Sequence, residues 1–341
     1  MDKTRNTVNH TLATVPRRRS LLALAATVAA ATGLWPNAVG SQSSFPSKPV
    51  TLLVPFGPGG IADLTARAVG EHMGKSLGQP VVVENKPSAG SIVASQAVAT
   101  ARPDGYTLLL MSNGNAVSVG LFKKLPFDVQ KDLAPITLLG TFDIGIFAAA
   151  NSRFATLRDA LVFAKANPGK LNVGTIAPGS TQHLSAKLFE TVAGVDVLVV
   201  PYKGSPAVLT ALRSGEIDLA FEVVGPMVGQ VSAGVVKALA VSSDKRTAAL
   251  PDVPTVMQAG VPGYNVASWN ALAAPAGTPV EVLDKLGRAA REAVASADVQ
   301  ARLTKLGMRL QSSTPAELQA LLASEIKRWG DVIRAAKIES E

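Results

Sequence analysis

Val50-Thr51-Leu52-Leu53-Val54-Pro55-Phe56-Gly57-Pro58-Gly59-Gly60-Ile61-Ala62-Asp63 decides how this 341-residue chain is read. Residues 50–54 are aliphatic or β-branched and short in run, the pattern of a buried strand. Two prolines and three glycines then make a turn. From Ile61 to Leu77 the spacing places Ile61, Leu64, Ala68 and Met73 on one side of a helix. A glycine turn between a strand and a helix leaves N–H groups free at the positive end of the helix dipole, and glycine lets a ligand approach the backbone. The segment therefore reads as an anion cradle, with a plain tight turn as the alternative.

The same grammar continues on both sides. Val81-Val82-Val83 is a strand, 92–101 a helix, Arg102-Pro103-Asp104-Gly105 a turn and 106–111 a buried strand. Further on come a helix 157–166, a strand 171–175, a helix 181–192, a strand 197–200, a helix 207–214 and strands 217–221 and 236–241. Alternating strands and helices imply an α/β fold with a largely parallel sheet covered on both faces. Thr156/Asp159, Thr278/Glu281 and Thr314/Glu317 carry the spacing of helix caps. The last seventy residues are nearly all helical in pattern, and Leu318, Leu321, Leu322, Trp329, Val332 and Ile333 form a stripe expected to pack in a core.

Composition removes several classes of function. There is no cysteine, so disulfides, thiolate metal sites and cysteine nucleophiles are out. Residues 1–40 read as an export signal, possessing basic Arg17-Arg18-Arg19, an apolar stretch 21–33 and small residues Ala38-Val39-Gly40 at a cleavage site. Arg18-Arg19 followed by Ser20, Leu21 and Leu22 also fits a twin-arginine signal, with the general secretion route as the alternative. Without that segment the formal charge falls from +8 to +4, and the remaining basic residues form no stripe, which speaks against nucleic acid. Only His72 and His183 remain, too few for a histidine metal site.

Donor-rich loops recur after strands: Ser112-Asn113-Gly114, Ala177-Pro178-Gly179-Ser180-Thr181-Gln182-His183, and Tyr202-Lys203-Gly204-Ser205. Such turns at strand carboxyl ends suit a binding cleft. No nucleophile elbow, zinc-protease helix or phosphate-binding loop is present, and His183, Asp63 and Glu222 read as binding or structural groups, so no enzyme and no cofactor is expected. The rival is a dinucleotide enzyme, because Gly57-x-Gly59-x-x-Ala62 is followed by Glu84 at the end of the next strand.

At these loops the chain resembles the Bug/TctC family, the extracytoplasmic receptors of tripartite tricarboxylate transporters. The resemblance is carried in order by Pro46-Ser47-Lys48-Pro49-Val50, the glycine turn with Asp63, Gly78-Gln79-Pro80-Val81-Val82-Val83-Glu84-Asn85-Lys86-Pro87 and Pro103-Asp104-Gly105-Tyr106-Thr107-Leu108-Leu109. Asn167-Pro168-Gly169-Lys170-Leu171-Asn172, Val200-Pro201-Tyr202-Lys203-Gly204-Ser205, Leu250-Pro251-Asp252-Val253-Pro254-Thr255 and Ala274-Pro275-Ala276-Gly277-Thr278-Pro279 complete it. It implies a two-lobed periplasmic binding protein, type II-like, each lobe a mostly parallel sheet flanked by helices. Residues 45–145 with 270–341 would form one lobe and 146–269 the other, closing on a ligand like a flytrap. It further implies a monomer that binds a small carboxylate and delivers it to membrane permease subunits, with a sensor of the same ligand as the alternative. Carried over, the ligand-binding set is Phe56, Gly57, Gly59, Gly60, Asp63, Ser112, Asn113, Ala177, Gly179, Ser180, Thr181, His183, Tyr202 and Glu222, with Lys203 beside it. The chain departs from the family pattern at Ser88 and Ser91, where glycine is usual, at Glu222, where aspartate is, and at Asn270, where an aromatic residue is.

Overall fold

The opening strand β1 (Val50–Val54) turns through residues 55–60 into α1 (Ile61–Leu77), at the residues the apolar spacing marks. These come from a computed structural model that describes residues 45–335 with Ile338 and Ser340; the expected export signal lies outside the described residues. Gly78 ends α1 in the left-handed conformation. β2 (Val81–Asn85) follows, then a short 3-10 turn and α2 (Ile92–Ala99), then β3 (Thr107–Ser112). β1 lies parallel to both β2 and β3. Ser112 then caps α3 (Asn113–Leu121), a helix that residues 112–114 hint at only as a donor-rich loop.

β4 (Leu133–Ala149) is seventeen residues long and has no counterpart in the sequence-based expectation. After it come α4 (Leu157–Ala166), β5 (Asn172–Ile176), α5 (Thr181–Ala193), β6 (Leu198–Tyr202), α6 (Ser205–Ser214) and β7 (Leu219–Val223). β5 is parallel to both β6 and β7, a second trio built like the first. α7 (Val224–Ser232), β8 (Val236–Val241), β9 (Ala267–Pro275), α8 (Val280–Ala295), α9 (Ala297–Thr304), β10 (Met308–Leu310) and α10 (Pro315–Ala335) complete the chain.

The strand order is β2-β1-β3-β9-β4-β7-β5-β6. The parallel strand–helix units expected from the sequence sit at both ends of this order, and the strands joining them run antiparallel, so the sheet is mixed. β4 pairs with β9 along 133–143 and with β7 and β8 along 144–149. Pro135 and Gly140 lie where its register with β9 shifts, so a proline and a glycine, which disfavour a regular strand, are accommodated as bulges. Thr156 and Thr314 cap α4 and α10 with reciprocal bonds from Asp159 and Glu317. Thr278 does not cap α8; its hydroxyl donates back to the Pro275 carbonyl at 2.8 Å, and Pro279 takes the cap position.

Candidate functional site

Four helices begin around one small space. α1 starts after Gly60, α3 after Ser112, α5 after Ser180 and α6 after Gly204. A cavity of about 30 Å³ touches residues from all four starts, including Gly60, Ile61, Ser112, Thr181 and Ser205. Phe142 of β4 and Ser268 and Asn270 of β9 close its far side. A second cavity of about 20 Å³ shares Phe56, Gly60, Ile176 and Ser205 with the first and adds Gly57, Ala177 and Lys203. No charged side chain lines the larger cavity. Each helix start carries partial positive charge and N–H groups without partners inside the helix, so four of them favour an anion without any arginine. At roughly 10–15 Å³ per water-sized occupant, the larger cavity holds two or three heavy atoms, about one carboxylate group.

The glycine turn is held from behind. Asp63 accepts from the Gly59 N–H at 3.0 Å, from Arg67 Nε at 3.1 Å and from Asn85 Nδ2 at 3.0 Å, and Arg67 Nη2 stands 2.9 Å from its other oxygen. Burial opposes ionisation here, but the Arg67 guanidinium, the Gly59 N–H and the Asn85 amide hold the carboxyl below its ordinary value. Asn85 also donates to the Phe56 carbonyl at 3.0 Å. Asp63 thus braces the turn and is not on the cavity wall.

The turn is met from above by the segment after β6. A Cβ on Gly57 would lie 2.8 Å from the Lys203 carbonyl oxygen, so only glycine permits this approach. Gly179 does the same against Gly90, whose N–H donates to the Pro178 carbonyl at 2.9 Å. A polar relay runs behind the cavity: Trp329 Nε1 donates to Asn113 Oδ1 at 2.9 Å, Asn113 Nδ2 to Thr181 Oγ1 at 3.2 Å, and Thr181 and Ser268 share a hydrogen bond at 2.7 Å.

Of the expected residues, Phe56, Gly57, Gly60, Ser112, Ala177, Thr181 and Lys203 reach the cavity walls. Gly59 takes φ 82°, and its side-chain position faces Pro206. Ser180 caps α5 by accepting from the His183 N–H. Burial pushes the His183 imidazole down to about 4, helped by Lys187, so it is neutral at physiological pH. The Tyr202 hydroxyl donates to Glu216 at 2.7 Å and leaves the site. Glu222 sits behind Ser205, which donates to it at 3.0 Å; burial pushes its carboxyl up to about 7, and its second oxygen has no partner.

Phe142, Ser268 and Asn270 are wall residues that sequence inspection assigns to no element, because β4 and β9 are themselves unread there. Asn270 is 1% exposed, and neither its amide nitrogen nor its oxygen has a partner in the protein. Leaving one buried polar atom unpaired costs about 1–3 kcal/mol, so two on one side chain make Asn270 a candidate ligand contact. A larger groove of about 580 Å³ runs along α1 beside Glu71 and Lys75, but it meets none of the four helix starts.

The family model for the tripartite tricarboxylate transporter receptor matches residues 65–338. The chain belongs to this receptor family. BugT of Bordetella pertussis is 33% identical over 296 residues, 86% of this chain and 91% of BugT. The solved periplasmic binding protein BugD superposes with a TM-score of 0.84 at 32% identity, covering 87% of this chain and all of that one. MatC of Rhodopseudomonas palustris, solved with bound malate, gives a TM-score of 0.81 at 36% identity over 85% of this chain and all of MatC. The transporter receptors are substrate-binding proteins, and the solved structures that this chain resembles include BugD, a periplasmic binding protein, and a periplasmic transporter that is 34% identical. No helix among the described residues of this receptor is long and apolar enough to cross a membrane. The dinucleotide alternative finds no support in the geometry. Glu84 is half exposed and paired with Lys86 at 3.1 Å, and it lines neither cavity at the glycine turn.

Proposed function

We propose that this receptor is exported to the periplasm by residues 1–40, captures a small organic carboxylate as a monomer, and hands it to the membrane permease of a tripartite tricarboxylate transporter. The observation that carries this is the convergence of four helix starts on one uncharged space, where Ser112, Thr181, Ser205 and Asn270 interrupt an otherwise largely apolar wall. That arrangement favours an anion by dipoles and N–H groups, with no chemistry that would transform it. The malate held by MatC is an acid of this class.

Residues 45–145 with 270–341 form one lobe in this proposal, and 146–269 the other. β4 and β9 then cross between them, and Ser242 sits beside both: its hydroxyl shares its one proton between the Ile144 carbonyl at 2.8 Å and the Val266 carbonyl, just before β9, at 2.6 Å. The close approaches of Gly57 to Lys203 and of Gly179 to Gly90 lie across the cleft and belong to its closed state. A cavity sized for one carboxylate admits a whole ligand only when the lobes part, and reclosure creates the surface a permease reads. A thermal-shift screen of mono-, di- and tricarboxylates on the protein without residues 1–40 is the test. A ligand at 100 times its Kd adds about 2.7 kcal/mol of stability. Melting raised by neutral sugars or cations, and by no carboxylate, refutes it.

A further inference from the structure

The far wall of the larger cavity carries a group whose bonding capacity the protein leaves unused. Asn270 sits on β9 in register with Ser112 of β3 and Gly140 of β4, and it lines the cavity beside Phe142 and Ser268. Its neighbours are already engaged. The Ser112 hydroxyl accepts from the Gly114 N–H, the Thr181 and Ser268 hydroxyls bond each other, and Ser205 donates to Glu222. On the wall of this cavity, Asn270 is the side chain with a buried donor and a buried acceptor both unpartnered.

A primary amide presents these two sites side by side, and no flip of the amide changes that. An ionised carboxylate accepts only, so it would pair with the nitrogen and set its own lone pairs against the oxygen. An ammonium donates only and strands the nitrogen. An alkyl group strands both. A hydroxyl or a carboxamide both donates and accepts, so either satisfies both atoms of the amide; it is accommodated together with the carboxylate when the lobes part and reclose on the whole ligand.

We propose that Asn270 is a specificity-determining residue that reads a hydroxyl or carboxamide on the ligand, so that this receptor prefers hydroxy acids and amide acids to the matching plain acids. The inference rests on the carboxylate-receptor reading and adds the second chemical group that the ligand carries. A site built to bond a polar substituent rejects the analogue lacking it, because its own buried groups are then left unpaired.

Isothermal titration of the purified protein with malate against succinate, 3-hydroxybutyrate against butyrate, and succinamate against succinate tests this. The expected result is at least about a tenfold preference for the hydroxyl or amide member in one or more pairs. Asn270→Leu should bring that preference to within about threefold while leaving the melting temperature of the ligand-free protein equal or higher, since it removes a buried unpaired amide. The wild-type comparison stands even where the variant fails to fold. Equal affinity for both members of every bound pair, or a preference kept by a folded Asn270→Leu protein, overturns the role of Asn270 and leaves the carboxylate receptor intact. Binding of no acid in the panel or in the wider carboxylate screen overturns both.

Discussion

Gly57→Ala separates closure from folding. The Gly57 backbone is not in the left-handed region, so alanine meets no conformational penalty there. Its Cβ would nevertheless stand 2.8 Å from the Lys203 carbonyl oxygen, against 3.4 Å or more for an ordinary contact, so the two segments must part by about 0.6 Å. The listener on the other side is backbone and cannot swing away. Overpacking of this kind costs about 1–3 kcal/mol. Borne only by the closed form, that weakens ligand binding by about 5- to 150-fold. The ligand-free protein should melt where the wild type does, or slightly higher, because alanine restricts the unfolded chain. Gly229→Ala in α7 is the control, since its Cβ would meet nothing within 4 Å and it lines neither cavity. The measurements are titration calorimetry with the tightest carboxylate of the screen and melting without ligand. An unchanged Kd for Gly57→Ala, or a ligand-free melting loss as large as the binding loss, refutes the assignment of this contact to closure.

Two further outcomes follow from buried groups near the cavity. The folded-state rise of Glu222 from 4.5 to about 7 gives stability that is fully present below pH 4.5 and is lost as pH rises through about 7, in all about 3 kcal/mol. The fall of His183 from 6.5 to about 4 works oppositely: its contribution is fully present above pH 6.5 and is lost as pH falls through about 4. The two slopes offset each other between pH 4.5 and 6.5, so Glu222→Gln should expose a loss of stability on acidification from 6.5 that the wild type masks. Denaturant titrations across that range check it, and superimposable profiles refute it. Among the described residues Ser91 is the non-glycine residue with positive φ, 61°, and its buried hydroxyl has no partner there. Ser91→Gly removes about 1–2 kcal/mol of left-handed strain, partly offset by the freer unfolded chain, and should raise melting by roughly 2 °C; a lower melting temperature refutes it.

The parts of the fold written in local pattern were legible. The apolar runs of β1 and β8, the amphipathic spacing of α1 and the threonine caps of α4 and α10 each carry their own physical signal within a few residues. β4 and β9 carry none that local rules recognise. Pro135, Gly140 and Gly145 read as breakers, and the alanines of β9 have low strand preference; both strands owe their conformation to neighbours far away in sequence. The site divides along the same line. The glycine turn, the donor loop at Ser112 and the helix start at Thr181 were visible because anion-binding turns have a composition, although the helix that Ser112 caps was not. Phe142 and Ser268 were hidden because they belong to the unread strands, and Asn270 stood out only as a departure from the family pattern. Asp63 shows the converse: a carboxylate beside a binding turn looks like a ligand contact until Arg67 and Asn85 are seen to claim it.

The relay behind the cavity has an optical consequence. Beyond residue 40 the chain contains two tryptophans, Trp269 and Trp329. Trp329 donates to Asn113, one hydrogen bond from the cavity-wall Thr181, and Trp269 is the chain neighbour of Asn270. Both indoles are buried, so in protein without residues 1–40, and hence without Trp35, their emission reports the electric field and packing of this one region. Solute capture at this cavity, as proposed, would therefore be followed without a label by tryptophan emission on a stopped-flow timescale.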